Sequence, residues 1–180
     1  MPEILTERLL LRPPIAGDFE GWARFAADPE VMRFLGGVQP RAVAWRGFLA
    51  MVGAWHIQGF AMFSVVERST GAWLGRVGPW QPEGWPGTEV GWGLCSEHQG
   101  KGYAFEAAVA SIDWAFGHLG WTDVIHCIDP ANIASQALAI RLGATNQGPG
   151  RLPPPFETAR IEIWRQSRES WTRRRQARAI

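Results

Sequence analysis

The chain has 180 residues, of which 46% are hydrophobic and 19% are charged, and 18 Lys and Arg against 17 Asp and Glu give a formal net charge of +1. A chain of this size can bury one full core without disulfide or metal staples, which excludes a disordered, collagen-like or disulfide-knotted protein. The near-zero net charge supplies no general field for a nucleic acid or an anionic membrane, so any anion must be bound locally.

The two cysteines and the hydropathy pattern bear on location. Cys95 and Cys127 lie in separate apolar stretches without CxxC spacing, which predicts reduced core residues and no metal site. The N-terminus lacks a signal-peptide pattern, and no run approaches the ~20 apolar residues that cross a bilayer. We therefore expect a soluble cytoplasmic protein with no membrane partner.

The first third of the chain predicts a strand followed by three helices. Residues 4–12 are an apolar run of β-type that ends at a pair of prolines. Asp18 is expected to cap a first helix and Asp28 a short second one, and Pro40 can open a third that ends near His56.

The rest of the chain predicts strands and helices in alternation. The first three of these strands, joined by short turns, predict an antiparallel meander. Apolar residues at helical spacing from Phe105 to Leu119 predict a long helix between two strands, which such a connection makes parallel. The predicted elements are strands at 60–67, 73–78 and 88–95, the long helix, a strand at 122–128, a helix at 132–142 and a strand at 159–164.

The turn before the long helix carries the strongest chemical signal. Gly100 and Gly102 remove the Cβ atoms that would keep an anion away from the backbone N–H groups at the helix start, and Lys101 adds a cation. A P-loop would need glycine where Cys95 stands, and a dinucleotide fingerprint would need a small residue in place of Phe105. The turn therefore predicts a diphosphate site of another kind.

The stretch Gln99-Gly100-Lys101-Gly102-Tyr103-Ala104 resembles the Q/R-x-x-G-x-G/A signature of the GCN5-related N-acetyltransferases (the GNAT family), whose loop holds the pyrophosphate of acetyl coenzyme A. Residues 6–13, 28–37 and 132–144 resemble, in the family's order, the branch that acetylates the N-terminal alanine of ribosomal proteins. The resemblance covers residues 5–148. It implies an α/β fold with a mixed, mostly antiparallel sheet of six or seven strands, helices on both faces and a splayed parallel strand pair around the cofactor.

The resemblance also implies an activity. We expect the transfer of an acetyl group from acetyl coenzyme A, as cosubstrate, directly to a primary amine in a ternary complex, without a metal. A weak base deprotonates a peptide α-amine, with a pKa near ~8, more easily than a lysine amine near ~10.4. We therefore expect a peptide N-terminus or another amine of low pKa as acceptor, with a small-molecule amine as the alternative. The alternatives are an inactive acyl-coenzyme A sensor or scaffold, and an RNA-binding module. We expect a monomer or a homodimer, and no nucleic acid as partner.

Glu89 and Ser135 are the candidate catalytic residues. Glu89 could take a proton from the amine, although a carboxylate is a poor base unless burial raises its pKa; the alternative is an exposed or ion-paired strand residue. Ser135 matches the family position whose hydroxyl can protonate the departing thiolate; the alternative is a serine that bonds backbone in the first helical turn. We expect His98 and His126 to be structural.

The strand at residues 88–95 predicts a place for the pantetheine arm. Its two glycines leave one face almost bare, which suggests a slot where an extended ligand makes strand-like hydrogen bonds, unless that face is tightly packed or bulged. Backbone N–H groups near Leu94 would then meet the developing oxyanion. The two predicted faces consist of Val90, Trp92 and Leu94 on one side, and of Glu89, Gly91, Gly93 and Cys95 on the other.

Further residues follow from the resemblance. The expected coenzyme contacts are Leu94, Cys95, Ser96, Gln99, Gly100, Lys101, Gly102, Tyr103, Ala104, Asn132, Ser135 and Arg141. The expected acceptor contacts are Trp22, Phe34, Trp80, Trp85 and Glu89. A single domain is predicted over residues 1–167, followed by a basic tail at 168–180, which we expect to be a frayed, solvated terminus.

Overall fold

The computed structural model describes residues 2–178, and these form an eight-stranded sheet with helices on both faces. The sheet thus has one or two strands more than expected. The strand order is β1-β2-β3-β4-β5-β6-β8-β7. The strands are β1 Ile4–Leu5, β2 Leu9–Arg12, β3 Phe63–Glu67, β4 Trp73–Trp80, β5 Glu89–Leu94, β6 Asp123–Ile128, β7 Thr145–Gly150 and β8 Ile161–Ser167; the helices are α1 Phe19–Ala27, α2 Pro29–Met32, α3 Arg41–Ile57, α4 Tyr103–His118, α5 Ile133–Leu142 and α6 Arg168–Arg178.

Short polar residues set the helix starts. The Asp28 carboxylate accepts hydrogen bonds from backbone N–H groups at the start of α2, and Asn132 accepts one from the N–H of Ser135 at 3.1 Å in α5. Gly143 ends α5 in the left-handed conformation, at φ 100°. Asp18 precedes α1 as predicted, but its side chain does not cap the helix.

Asp18 forms a buried ion pair instead of a cap. Its carboxylate accepts hydrogen bonds from both Arg12 guanidinium nitrogens, at 2.7 and 2.8 Å, and from the Ser64 hydroxyl at 2.7 Å. These bonds join the end of β2, the start of α1 and strand β3. A buried carboxylate needs such partners, and capping alone would have left most of its lone pairs unused.

The core lies between the sheet and its helices. Phe63 of β3 packs beneath the rings of Trp55 and Trp114, from the ends of α3 and α4. On the opposite sheet face, Trp22 and Phe25 of α1 pack against Trp73. Helix α4, predicted from its apolar stripe, therefore covers one face, and α1 covers the other.

The single strand predicted at residues 4–12 is two antiparallel strands, β1 and β2. Two further elements were not predicted. Strand β7 pairs with β8 at the sheet edge, and its polar, glycine-containing sequence offers no alternating pattern. Helix α6 lies where a frayed tail was expected, and that expectation is wrong for residues 168–178. Trp171 is 4% exposed, and its Nε1 donates to Asp113 of α4 at 2.7 Å.

The only parallel pairing among residues 2–178 is between β5 and β6, as predicted. The two strands are joined at a single register pair, Glu89 with Ile125, where the Ile125 N–H donates to the Thr88 carbonyl at 2.9 Å. Beyond it, β5 continues along β4 and β6 along β8. We call the opening between residues 90–94 and residues 126–128 the splay. None of the described helices is long and apolar enough to cross a membrane.

Candidate active site

The glycine turn, residues 99–102, leads from the end of β5 to the start of α4. Gly100 and Gly102 have φ of 73° and 82°, a backbone conformation that side chains with a Cβ rarely adopt. Within the described part of the chain, the N–H groups of residues 100–104 have no hydrogen-bond acceptor. Unpaired N–H groups at the positive end of a helix dipole are the kind of groups that can hold a phosphate.

Three residues at or just before this turn that were predicted to contact the coenzyme instead bond to or pack against other parts of the protein. The N–H of Gln99 bonds to the Ser96 carbonyl, and its side-chain amide donates to the Leu94 carbonyl at 3.0 Å. The Ser96 hydroxyl donates to Asp28 at 2.7 Å. Both backbone groups of Cys95 are hydrogen-bonded, and its thiol lies in an apolar cluster where burial raises its pKa to about 11. Cys95 is therefore a core residue and not a coenzyme contact.

Arg8 is a cation beside the turn to which the sequence assigned no role. Its Nη1 donates to the Lys101 carbonyl at 2.9 Å and its Nε to Glu106 at 2.7 Å, and the guanidinium lies 4.5 Å from the Tyr103 ring centre. A Cβ on Gly102 would be 3.4 Å from Nη2 of Arg8. Because Arg8 is remote in sequence, only its place in the family-like motif could have indicated it.

Of the other predicted coenzyme residues, Leu94 ends β5 and Asn132 caps α5, and the rest lie on α4 and α5. The Tyr103 hydroxyl donates to Glu67, so this side chain anchors the helix start to β3. Arg141 is exposed at the end of α5, with its guanidinium 3.8 Å from the centre of the Phe105 ring. Ala104 lies in the first turn of α4.

Glu89 is buried at the start of the splay, with 6% of its surface exposed. Its Oε1 accepts from the Cys127 N–H at 3.0 Å, and its Oε2 accepts from Trp85 Nε1 at 2.5 Å. Burial raises the pKa of Glu89 above its usual value, against these donors and the positive charge of Arg76, which lower it. The alternative, an exposed or ion-paired strand residue, does not describe this position.

Two aromatic residues predicted to face the acceptor do lie at Glu89. Trp85 donates to its carboxylate, and the Trp80 ring meets Trp85 edge-on, with ring centres 6.4 Å apart. Phe34 is half-buried after α2, beneath the guanidinium of Arg33.

Trp22 was also predicted to contact the acceptor, and the structure contradicts this. It is 6% exposed and packs against Phe25, Phe48 and Trp73 in the core. Arg76 stacks on its ring at 5.2 Å. The apolar stripe of α1 already accounts for this tryptophan.

The loop between β7 and β8 borders this side of the molecule. A Cβ on Gly84, in the β4–β5 loop, would be 3.3 Å from Pro153, and one on Gly36, after α2, would be 3.3 Å from the Phe156 ring. The loop therefore contacts segments on both sides of the predicted acceptor region.

Ser135 lies at the other side of the splay, in the first turn of α5. Its hydroxyl oxygen accepts a hydrogen bond from Trp92 Nε1 at 3.1 Å, which leaves its own proton free to be donated. Its backbone N–H, and not its hydroxyl, bonds to the cap residue Asn132. The Trp92 ring in turn packs against His126, with ring centres 4.7 Å apart.

The glycine face of β5 is not an open slot. A Cβ on Gly91 would be 2.5 Å from the Met62 methyl, and one on Gly93 would be 2.8 Å from the Phe25 ring. The alternative, tight packing, is correct, although the packing partners come from α1 and the start of β3 and not from the long helix. The edge of β5 beyond Glu89 is instead where pairing with β6 stops, in the splay.

No group of three or more His, Cys, Asp and Glu that could hold a metal ion occurs within residues 2–178.

Comparison with known proteins identifies the family. The family described as "Acetyltransferase (GNAT) domain" matches residues 8–145. The chain is 28% identical over 151 residues to "Uncharacterized N-acetyltransferase p20" of Bacillus licheniformis, covering 82% of this chain and 85% of that one.

Solved structures of acetyltransferases superpose on the chain. An acetyltransferase from Agrobacterium tumefaciens str. C58 superposes with a TM-score of 0.81 at 33% identity, covering 93% of this chain and 95% of the other. The ribosomal-protein-S5-alanine acetyltransferase from Vibrio fischeri shares the fold, with a TM-score of 0.71 at 20% identity, covering 95% and 99%. The chain belongs to the GNAT family of N-acetyltransferases, which use acetyl coenzyme A.

Proposed function

We propose that this protein transfers an acetyl group from acetyl coenzyme A to a peptide α-amine by direct attack in a ternary complex. One observation carries the proposal. The splay of β5 and β6 adjoins a glycine turn with unpaired N–H groups, and the splay has Glu89 on one side and Ser135 on the other.

The coenzyme fits the turn and the splay by its chemistry. The unpaired N–H groups of residues 100–104 and the charge of Lys101 suit its diphosphate. Because strand residues alternate, Trp92 and Leu94 direct their backbone polar groups to the same edge as Val90, whose carbonyl points to β6. The Leu94 carbonyl already accepts from the Gln99 side chain. The backbone groups of Trp92 and the N–H of Leu94 can bond the amides of an extended pantetheine arm. When bound, the coenzyme supplies an activated thioester.

Glu89 accepts the amine proton, directly or through one water. The carboxylate accepts hydrogen bonds from Trp85, from the Cys127 N–H and from the Cys127 thiol. Its two oxygens offer about four acceptor positions, so one stays open for a further donor. Burial raises the pKa of Glu89, which makes the carboxylate a stronger base than an exposed one. An α-amine with a pKa near ~8 loses its proton to such a base more easily than a lysine amine near ~10.4, which supports an α-amine as acceptor.

Ser135 donates its proton to the departing sulfur. Its oxygen already accepts from Trp92, so its O–H points elsewhere. Transfer through an acyl-cysteine is not supported, because burial raises the pKa values of both Cys95 and Cys127, the latter also through the charge of Glu89 beside it. Neither thiol ionises readily at neutral pH.

Thiol release from acetyl coenzyme A tests the proposal with three acceptors. These are a peptide with a free N-terminal alanine, the same peptide N-acetylated with a single lysine, and a small diamine. We expect the first to have a kcat/KM at least about tenfold above the second, because its amine is more often neutral. Mass spectrometry locates the added acetyl group.

The Glu89→Gln variant tests the base. It keeps the shape and a hydrogen-bond acceptor, so we expect kcat to fall by about 10²-fold or more while coenzyme A affinity is unchanged. Tight coenzyme binding without amine-dependent thiol release in the wild type would contradict the proposal and support a sensor.

A further inference from the structure

The backbone hydrogen bonding between β5 and β6 stops after one register pair. With Ile125 paired to Glu89, parallel geometry makes the next hydrogen bond run from the Cys127 N–H to the Val90 carbonyl. That bond is not formed. The structure instead gives each of its two groups a side-chain partner.

The Cys127 N–H donates to Oε1 of Glu89 at 3.0 Å, and the Val90 carbonyl lies 2.7 Å from Nδ1 of His126. Because a carbonyl can only accept, Nδ1 must carry the proton. Glu89 and His126 are 6% and 1% exposed, so water does not compete for these bonds. A buried backbone group that had no side-chain partner would drive the strands together to form the missing bond.

We propose that His126 is a positioning residue, which with Glu89 holds β5 and β6 apart by occupying the two backbone groups of the next ladder bond. That this opening admits the coenzyme rests on the proposed function. The ring also acts on the catalytic serine, since it packs against Trp92, whose Nε1 donates to Ser135.

The buried ring stays neutral in this position. Burial lowers the pKa of His126 to about 4, and its Nε2 has no hydrogen-bond partner among the described residues. A charged ring would place an unsatisfied N–H there. The neutral tautomer with the proton on Nδ1 is thus the one that holds Val90.

Two variants of nearly equal size separate the hydrogen bond from packing. In His126→Asn the carboxamide N–H takes the position of Nδ1, whereas His126→Leu has no donor. For His126→Leu we expect coenzyme A affinity, measured by calorimetry, to fall about tenfold or more, while His126→Asn stays within about threefold of the wild type. Equal affinities in the two variants would overturn the proposal.

Two NMR measurements do not depend on the coenzyme. In the wild type, the ¹⁵N shifts of His126 should show a protonated Nδ1 and an unprotonated Nε2. In the double variant Glu89→Ala with His126→Leu, which frees both backbone groups, a scalar coupling across a hydrogen bond should join the Cys127 nitrogen to the Val90 carbonyl. An unprotonated Nδ1 overturns the proposal even if the leucine variant fails to fold. If these readouts hold but the wild type binds no coenzyme A, the proposed function fails and the strand-holding role stands.

Discussion

At the scale of single residues, two buried titratable groups lie at the splay. Their pKa values are shifted in opposite directions, and each shift favours the neutral form of the side chain. Burial raises the pKa of Glu89 and lowers that of His126 to about 4. Each keeps the hydrogen bond to the backbone that its position requires, Glu89 as an acceptor and His126 as a donor. In the proposed mechanism, the proton transfer and the separation of the strands therefore depend on the same two side chains.

The His126 pKa predicts a loss of stability in mild acid. Between pH 6.5 and 4 the unfolded chain binds a proton at this ring and the folded one does not, so the free energy of unfolding falls as pH falls. From pH 6.5 to 5 this contribution is about 1.5 kcal/mol, because the slope is half of 1.36 kcal/mol per pH unit at pH 6.5 and reaches nearly the full value at pH 5. Urea unfolding of the wild type and of His126→Asn at both pH values measures it.

Asparagine cannot titrate. Between pH 6.5 and 5 we therefore expect the free energy of unfolding of His126→Asn to fall less than that of the wild type, by about the contribution of the histidine. Equal losses in the two proteins would show that His126 is protonated in the folded state.

Residues with a local role were predicted better than residues whose role is set by packing. The helix caps Asp28 and Asn132 follow from short-range rules, and both were confirmed. Trp22 and Cys95 were wrong as ligand contacts. Trp22 belongs to the apolar stripe of α1, which indicates a core position, whereas nothing local distinguishes a thiol in the core from one in a cleft.

At the scale of elements, helix α6 shows how a polar segment can be held by a single anchor. Trp171 supplies buried apolar area and a hydrogen bond to Asp113, and Arg175 adds an ion pair to the same carboxylate at 3.1 Å. The arginines around it made the segment look like a solvated tail. One aromatic residue among eleven gives too weak a periodicity to predict a helix.

Because Trp171 holds α6 in place, substitutions in this helix should lower stability to different extents at different positions. Trp171→Ala should lower the free energy of unfolding by about 3–5 kcal/mol, as truncation of a buried tryptophan does. Arg173→Ala, on the exposed side of the same helix, should stay within about 0.5 kcal/mol of the wild type. Chemical denaturation monitored by circular dichroism compares the two.

A Trp171→Ala loss as small as that of Arg173→Ala would show that α6 does not dock on α4.

At the scale of the whole molecule, the coenzyme site depends on contacts between distant parts of the chain. Arg8 of the first hairpin contacts the glycine turn, and β6 reaches the centre of the sheet between β5 and β8. Ligand binding at such a site stabilises the entire fold, because only the folded state presents the turn and the splay together.

Coenzyme A should therefore raise the melting temperature. At 100 times its dissociation constant the stabilisation is about 2.7 kcal/mol, which corresponds to about 5–10 °C for a domain of this size. Gly102→Ala should lose most of this shift, since it strains a backbone at φ 82° and crowds Arg8. Differential scanning fluorimetry with and without coenzyme A measures both.

Gly47→Ala serves as a control, because a Cβ at Gly47 has no atom within 4 Å. A full shift in Gly102→Ala would remove the turn from the binding site.

The sequence by itself determined the family-like glycine turn, the long helix α4, the antiparallel meander and the parallel pair, because each depends on short-range periodicity, chirality or backbone conformation. Tertiary structure alone decided that Arg8 lies beside the turn, that the glycine face is packed, and that His126 and Glu89 occupy the groups of a missing ladder bond. The physical reason is that these contacts join residues far apart in the chain. Their energies arise only when the strands and helices come together, so no local pattern can record them.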